Sequence, residues 1–220
     1  YEQIVHIKME YQKHGSDLLV YFGDPIDIIP KIAEKNNCSK VYTNRDYEPY
    51  AIHRDKIIYE KLSHLNIEFL GSKDHVIYEK NEVLKDNGTP YLVFTPYSKK
   101  WKSIFKKNYE PFFDSMSHLN KLAKVDEQQG LIGLKEMGFE QMHPYIPNKK
   151  ISASILKSYE KSRNFPDQDG TSRLGVHLRF GTISIREIVN QSLYLSETYI
   201  NELIWRDFYQ MIIYHFPHSA

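Results

Sequence analysis

The stretch LLVYFGDPIDIIPKIAEKNNCSKVYT, residues 18–43, reads as strand, helix, strand. Leu18 to Phe22 is a compact apolar run ending at Gly23, Asp24 and Pro25, the pattern of a buried strand that enters a loop and then a helix. Asp24 suits the cap and Pro25 the first helical position, where a missing N–H has no consequence. Ile28, Ile29, Ile32 and Ala33 recur at helical spacing, Asn36 and Asn37 break the pattern, and Lys40 to Thr43 resumes as a strand. Working outward, Ile57, Ile58, Leu62 and Leu65 mark the apolar side of a second helix, and Ile67 to Leu70 a further strand closed by Gly71. Strands alternating with helices predict a parallel sheet with helices on its faces. Toward the amino terminus, Ile4 to Tyr11 reads as a helix already under way.

No glycine-rich dinucleotide fingerprint or Walker lysine loop opens any of these units, which argues against an ordinary nucleotide-hydrolysing module. Asp86 to Pro90 is a turn, Tyr91 to Thr95 reads as a short strand before Pro96, and Tyr97 to Lys107 as a basic helix with Lys99, Lys100, Lys102, Lys106 and Lys107. Such a lysine face is either a nucleic-acid patch or simply solvated. From Asn108 to Lys150 order weakens, with Pro111, Pro144, Pro147 and a helical island at Leu131 to Met137. From Ile151 onward every pattern is helical: Ile155 to Lys161, Arg173 to Phe180, Ile185 to Leu193 and Thr198 to Phe216. The chain changes class halfway, with no internal repeat.

At 220 residues the chain holds one large domain or two small ones, and its 41% hydrophobic content predicts a packed core. A net charge of +1 means that a polyanion would have to be met by a local patch and not by the field of the whole molecule. No run of eighteen apolar residues occurs, and the single Cys38 cannot form an intrachain disulfide. No Cys/His cluster has zinc spacing, so a cytoplasmic, metal-free protein is expected. The 17 tyrosines serve either stacking on a flat ligand or ordinary cores. Both ends, Tyr1 and Ala220, read as cuts.

Two segments carry chemistry. Asp169-Gly170-Thr171-Ser172 is a hydroxyl-rich turn before a helix, which either caps that helix and nothing more or also offers N–H groups and a helix dipole to a phosphate. In the last helix, Glu202, Trp205, Arg206 and Tyr209 fall at i, i+3, i+4 and i+7 and share one face, while Ile204, Phe208 and Met211 occupy the other. That arrangement suits a core on one flank and a site on the other, or an intrahelical Glu–Arg pair beside a packed indole.

The segments Tyr159 to Pro166, Gly170 to Gly175, Leu178 to Gly181 and Asn201 to Tyr209 closely resemble the photolyase/cryptochrome family in order and spacing. Asn44 to Arg54, Gly88 to Tyr91, Phe94 to Tyr97 and Trp101 are similar to its first half, and the wording around Trp205 favours the class I cyclobutane-dimer branch over the (6-4) branch. The resemblance implies a Rossmann-like α/β parallel-sheet domain over roughly 1–107, a linker over 108–150, and the start of an all-α FAD-binding domain over 151–220. It implies light-driven repair of pyrimidine dimers by electron transfer from reduced FAD, with a second antenna chromophore of unassigned identity. Damaged DNA is the partner it implies. Tyr159, Thr171, Ser172, Arg173, Leu174, Gly175 and Arg206 would then serve the flavin. Trp205 would stack on a flipped base, Glu202 would hydrogen-bond it, and Arg163 and Tyr209 would face DNA. Position 175 is glycine where the family commonly has serine. The resemblance also implies a missing first strand and missing later helices, so this piece by itself is expected to bind flavin weakly or not at all and to tend to aggregate. A cryptochrome-type photoreceptor with the same fold is the alternative.

Overall fold

The computed structural model describes residues 1–105 and 113–219, and its contacts divide the chain into two compact units. The first comprises Tyr1–Asp24 with Phe112–Ile146, and the second Pro25–Pro111 with Pro147–Ala220.

In the first unit, helix α1 (Glu2–Lys13) confirms the amino-terminal periodicity. Its Lys8 is buried and ion-paired to Asp17, which also accepts N–H bonds from Gln12 Nε2 at 3.2 Å and Gln129 N at 2.8 Å. A buried ammonium requires such a partner, and this one ties α1 to the returning segment. A hollow of about 360 Å³ is lined by Val5, Lys8, Met9, Gln12 and residues 128–131. Leu18 to Phe22 is not a strand: it is irregular, and Leu19, Tyr21 and Phe22 are exposed. An apolar run becomes a strand only where a neighbour takes its N–H and C=O groups, and the described sheet has just two strands, neither of them this one. Leu131 to Met137 is a turn and not a helix. Met137 N bonds Gly133 O at 3.2 Å, and the flanking Gly138 at φ 81° stops propagation from so short a nucleus.

The second unit opens with α2 (Pro25–Lys35), β1 (Lys40–Asn44), α3 (Pro49–His64) and β2 (Glu68–Ser72). The strands are parallel, with Val41 opposite Phe69 and Thr43 opposite Gly71. Parallel neighbours need a crossover, and α3 supplies it. Val41 and Phe69 face Ala33, Ile58, Leu62 and Ile67 in a small core, while Tyr42 and Leu70 point to the uncovered face.

A larger core gathers Tyr78, Val83, Tyr97, Trp101 and Phe105 with residues from the helices that follow. These helices are α4 (Phe94–Phe105), α5 (Ala153–Ser162), α6 (Gly175–Arg179), α7 (Ile185–Ser192) and α8 (Glu197–His215). The strand expected at Tyr91 to Thr95 is absent, because α4 begins at Phe94. Pro96 lies in its first turn, where no intrahelical acceptor awaits an N–H. The basic stretch is helical to Phe105, and Lys106 and Lys107 lie outside the described residues. Helix α6 is shorter than Arg173 to Phe180 because Arg173 adopts φ 52°, a left-handed conformation that a right-handed helix cannot include.

Candidate flavin and DNA site

Helix α8 carries the candidate site. Ser196 caps it, its side chain accepting from Tyr199 N at 3.2 Å, and the stripe Ile200, Leu203, Ile204, Phe208 and Met211 is buried. Burial of that stripe fixes which face remains outward. Trp205 and Tyr209 lie on it, one turn apart, with ring centroids 5.4 Å apart at 26°. Phe94 covers Trp205 in a parallel stack at 3.7 Å and 4°.

One turn earlier, Glu202 is ion-paired with Arg163 from the end of α5. The Arg163 guanidinium also sits 5.6 Å from the Tyr159 ring centroid, and Glu202 holds it above its usual basicity. Tyr159 meets Tyr199 edge-on at 5.0 Å, and the Tyr199 hydroxyl donates to Ser172 Oγ at 3.0 Å. Burial pushes both phenols above the ordinary tyrosine range. A continuous polar–aromatic chain thus runs from Ser172 through Tyr199, Tyr159 and Arg163 to Glu202.

The turn itself is held by close approach. Gly170 is buried against the last turn of α5, and a Cβ there would lie 2.6 Å from Ser162 Cβ and 2.7 Å from its carbonyl oxygen. Gly170→Ala is therefore expected to destabilise the protein by roughly 1–3 kcal/mol through overpacking, seen as a lowered Tm in thermal unfolding. Ser172 Oγ accepts Leu174 N at 3.4 Å, and Arg173 pairs with Asp169 at 2.9 Å, both partly exposed. Leu174 is buried in the core. Thr171 is exposed, and the space about the Gly175 Cα is open.

Of the residues expected to serve a site, Tyr159, Arg163, Ser172 and Glu202 are thus joined by contacts, and Trp205 stacks with Tyr209. Arg206 is engaged elsewhere: its guanidinium donates to the His75 carbonyl, and burial pulls its basicity down. Arg173 is engaged by Asp169. The exposed Thr171, the Ser172 hydroxyl and the open space about Gly175 leave room for an anion beside the turn, and Arg173 would have to leave Asp169 to meet it. Among the described residues, no group of three or more His, Cys, Asp and Glu side chains is placed to hold a metal ion.

Three participants escaped sequence reading: Phe94, Tyr199 and Asp207. Asp207 is completely buried, accepting from Trp101 Nε1 at 2.9 Å, Tyr78 N at 3.1 Å and Ile77 N at 3.4 Å. Burial pushes its carboxyl up and these donors pull it back, leaving it at about 6. The available signal was its place in the sequence: a carboxylate four residues after Leu203 and four before Met211, inside an apolar stripe.

A family model for DNA photolyase matches residues 1–115. A deoxyribodipyrimidine photo-lyase from a Synechococcus strain is 31% identical over 97% of this chain and 50% of its own length. A solved bacterial class III photolyase from Agrobacterium tumefaciens superposes with a TM-score of 0.77 at 22% identity, over 98% of this chain and 49% of its own. A Synechocystis cryptochrome gives the same score and identity over 97% and 49%. The chain spans about half the length of the curated relatives it matches.

Proposed function

Because this chain belongs to the DNA photolyase family, we propose that it forms part of a light-dependent repair enzyme acting on cyclobutane pyrimidine dimers in DNA. The observation that carries this reading is the outward aromatic pair Trp205 and Tyr209 beside the Arg163–Glu202 ion pair, on a helix joined through Tyr199 to the Ser172 turn. A dimer is poorly stacked within the duplex, so extruding it costs only about a few kcal/mol. Trp205 receives the extruded bases as a stacking surface, and Tyr209 extends that surface.

In this reading Arg163 and Glu202 neutralise each other until DNA arrives. A backbone phosphate then competes for the guanidinium, which frees the carboxylate to accept from a base N–H. Thr171, Ser172, Arg173, Leu174 and Gly175 would hold the flavin diphosphate, with Tyr159 joined to that turn through Tyr199, while Arg206 fixes the loop at His75. When bound, reduced FAD supplies the electron whose transfer to the dimer opens the cyclobutane ring. The protein's part is to orient the lesion, exclude water from it and hold the charges that meet it.

The test uses the whole protein carrying this sequence, ultraviolet-treated DNA and blue light under reducing conditions. Loss of dimers only in the light, with flavin visible in the absorption spectrum, is the expected result. Bound flavin with no repair would replace this reading by a cryptochrome-type photoreceptor, and absence of flavin would reduce the Thr171 turn to a helix cap.

A further inference from the structure

Trp205 has two faces, and one of them is already taken. Phe94 lies parallel to the indole at 3.7 Å and 4°, a separation at which a second ring cannot enter on the same side. Any base that stacks on Trp205 must therefore use the opposite face, and the exposed Tyr209 ring, near-parallel to the indole at 5.4 Å and 26°, must leave room for it. Phe94 is itself held from behind. It packs edge-on to Phe208 at 6.0 Å and 79°, and Phe208 is 5% exposed. It is also the first residue of α4, whose Tyr97 and Trp101 are among the most deeply buried side chains, with Trp101 bonded to Asp207.

We propose that Phe94 is a positioning residue for lesion recognition: a fixed backing ring that closes the inner face of Trp205 and holds the indole in the orientation that receives an extruded pyrimidine dimer. The proposal rests on the reading of Trp205 as the stacking surface. A tryptophan at a partly exposed helix position would otherwise lose side-chain rotational freedom on binding, and that loss would subtract from the stacking energy. With Phe94 in place the freedom is already gone before DNA arrives. Tyr209, at 5.4 Å and 26° and largely exposed, makes a looser contact that a side-chain rotation can change without disturbing the core.

The experiment measures the affinity of the whole protein for an oligonucleotide bearing one thymine dimer and for the same strand undamaged, in the dark. Phe94→Leu, Phe94→Tyr, Trp205→Ala and the Phe94→Leu/Trp205→Ala pair are compared with the parent. Phe94→Leu is expected to weaken binding of the damaged strand roughly two- to tenfold, the worth of one aromatic pair, and to leave the undamaged strand unaffected. Phe94→Tyr, which keeps the ring, should retain discrimination. The double variant should bind no worse than Trp205→Ala alone, because a backing ring has nothing left to back. Phe94→Leu binding like the parent while Trp205→Ala is impaired would overturn the role of Phe94 and leave the stacking surface standing. Additive losses, or equal losses on both strands, would reduce Phe94 to a core residue and also overturn it. Trp205→Ala binding like the parent would remove the stacking reading and Phe94's role with it.

Discussion

Asp207→Ala is expected to lower stability by roughly 2–4 kcal/mol, a larger effect than any substitution on the outward face of α8. The carboxylate accepts the Trp101 indole N–H and two backbone N–H groups, from Ile77 and Tyr78. Removing it leaves those donors in a fully buried site without their acceptor, at about 1–3 kcal/mol for each one left unsatisfied. Against this stands the relief of burying a charge, since the carboxyl at about 6 is held two units above its ordinary value. That relief offsets part of the loss and not all of it, because three donors share one acceptor group. For a chain of this size the net corresponds to a fall in Tm on the order of 5–15 °C by calorimetry or circular dichroism. Asp207→Asn keeps one acceptor oxygen and should fall between the two. An Asp207→Ala protein as stable as the parent would mean that the 77–78 backbone and Trp101 find other acceptors.

The same carboxyl gives this loss a pH dependence of definite sign. Its folded pKa, about 6, lies above the unfolded value, so the folded state binds the proton more tightly. The stabilising contribution of protonation is therefore full below about pH 4 and is lost as pH rises through about 6. The stability difference between the parent and Asp207→Asn should accordingly shift by about 1 kcal/mol in favour of the parent between pH 7.5 and pH 5. Taking the difference between the two proteins removes the contributions of the other carboxylates, which titrate alike in both.

How much of this was legible beforehand follows from where each signal resides. Helices α2, α3, α5, α7 and α8 and the pair β1–β2 announce themselves because their apolar spacing is imposed by burial against the rest of the unit. Leu18 to Phe22 has the composition of a strand, but a strand is made by its partner, and composition carries no partner. Tyr91 to Thr95 likewise has strand composition, yet Pro96 fits the first turn of a helix as well as it ends a strand. At the site, the face containing Glu202, Trp205 and Tyr209 was readable from the helical period alone. Phe94, Tyr199 and the role of Asp207 were not, since each acts through a residue far along the chain. Arg206 shares the spacing of the outward face, but the backbone carbonyl of His75 claims its guanidinium, a contact that no periodicity encodes.

In the whole protein carrying this sequence, and on the function proposed for it, Trp205→Ala is expected to weaken binding of dimer-containing DNA by roughly 10- to 100-fold, from about 1–3 kcal/mol of stacking per base. Undamaged duplex should be affected far less, because there no base leaves the helix and affinity comes from phosphate contacts. Truncation also exposes the stacked face of Phe94 and removes the edge contact to Phe208, so some loss of stability accompanies the change. Trp205→Phe separates the two consequences. It keeps a ring over Phe94 and a platform for a base, and should recover most of the discrimination even where thermal stability stays below the parent's. Flavin content, read from the visible spectrum, should be the same in all three proteins, because the turn at Thr171 to Gly175 is built from Ser172, Tyr199 and Gly170 and not from the indole. If Trp205→Ala retained full discrimination between damaged and undamaged DNA with flavin in place, the lesion would have to be read elsewhere than on α8.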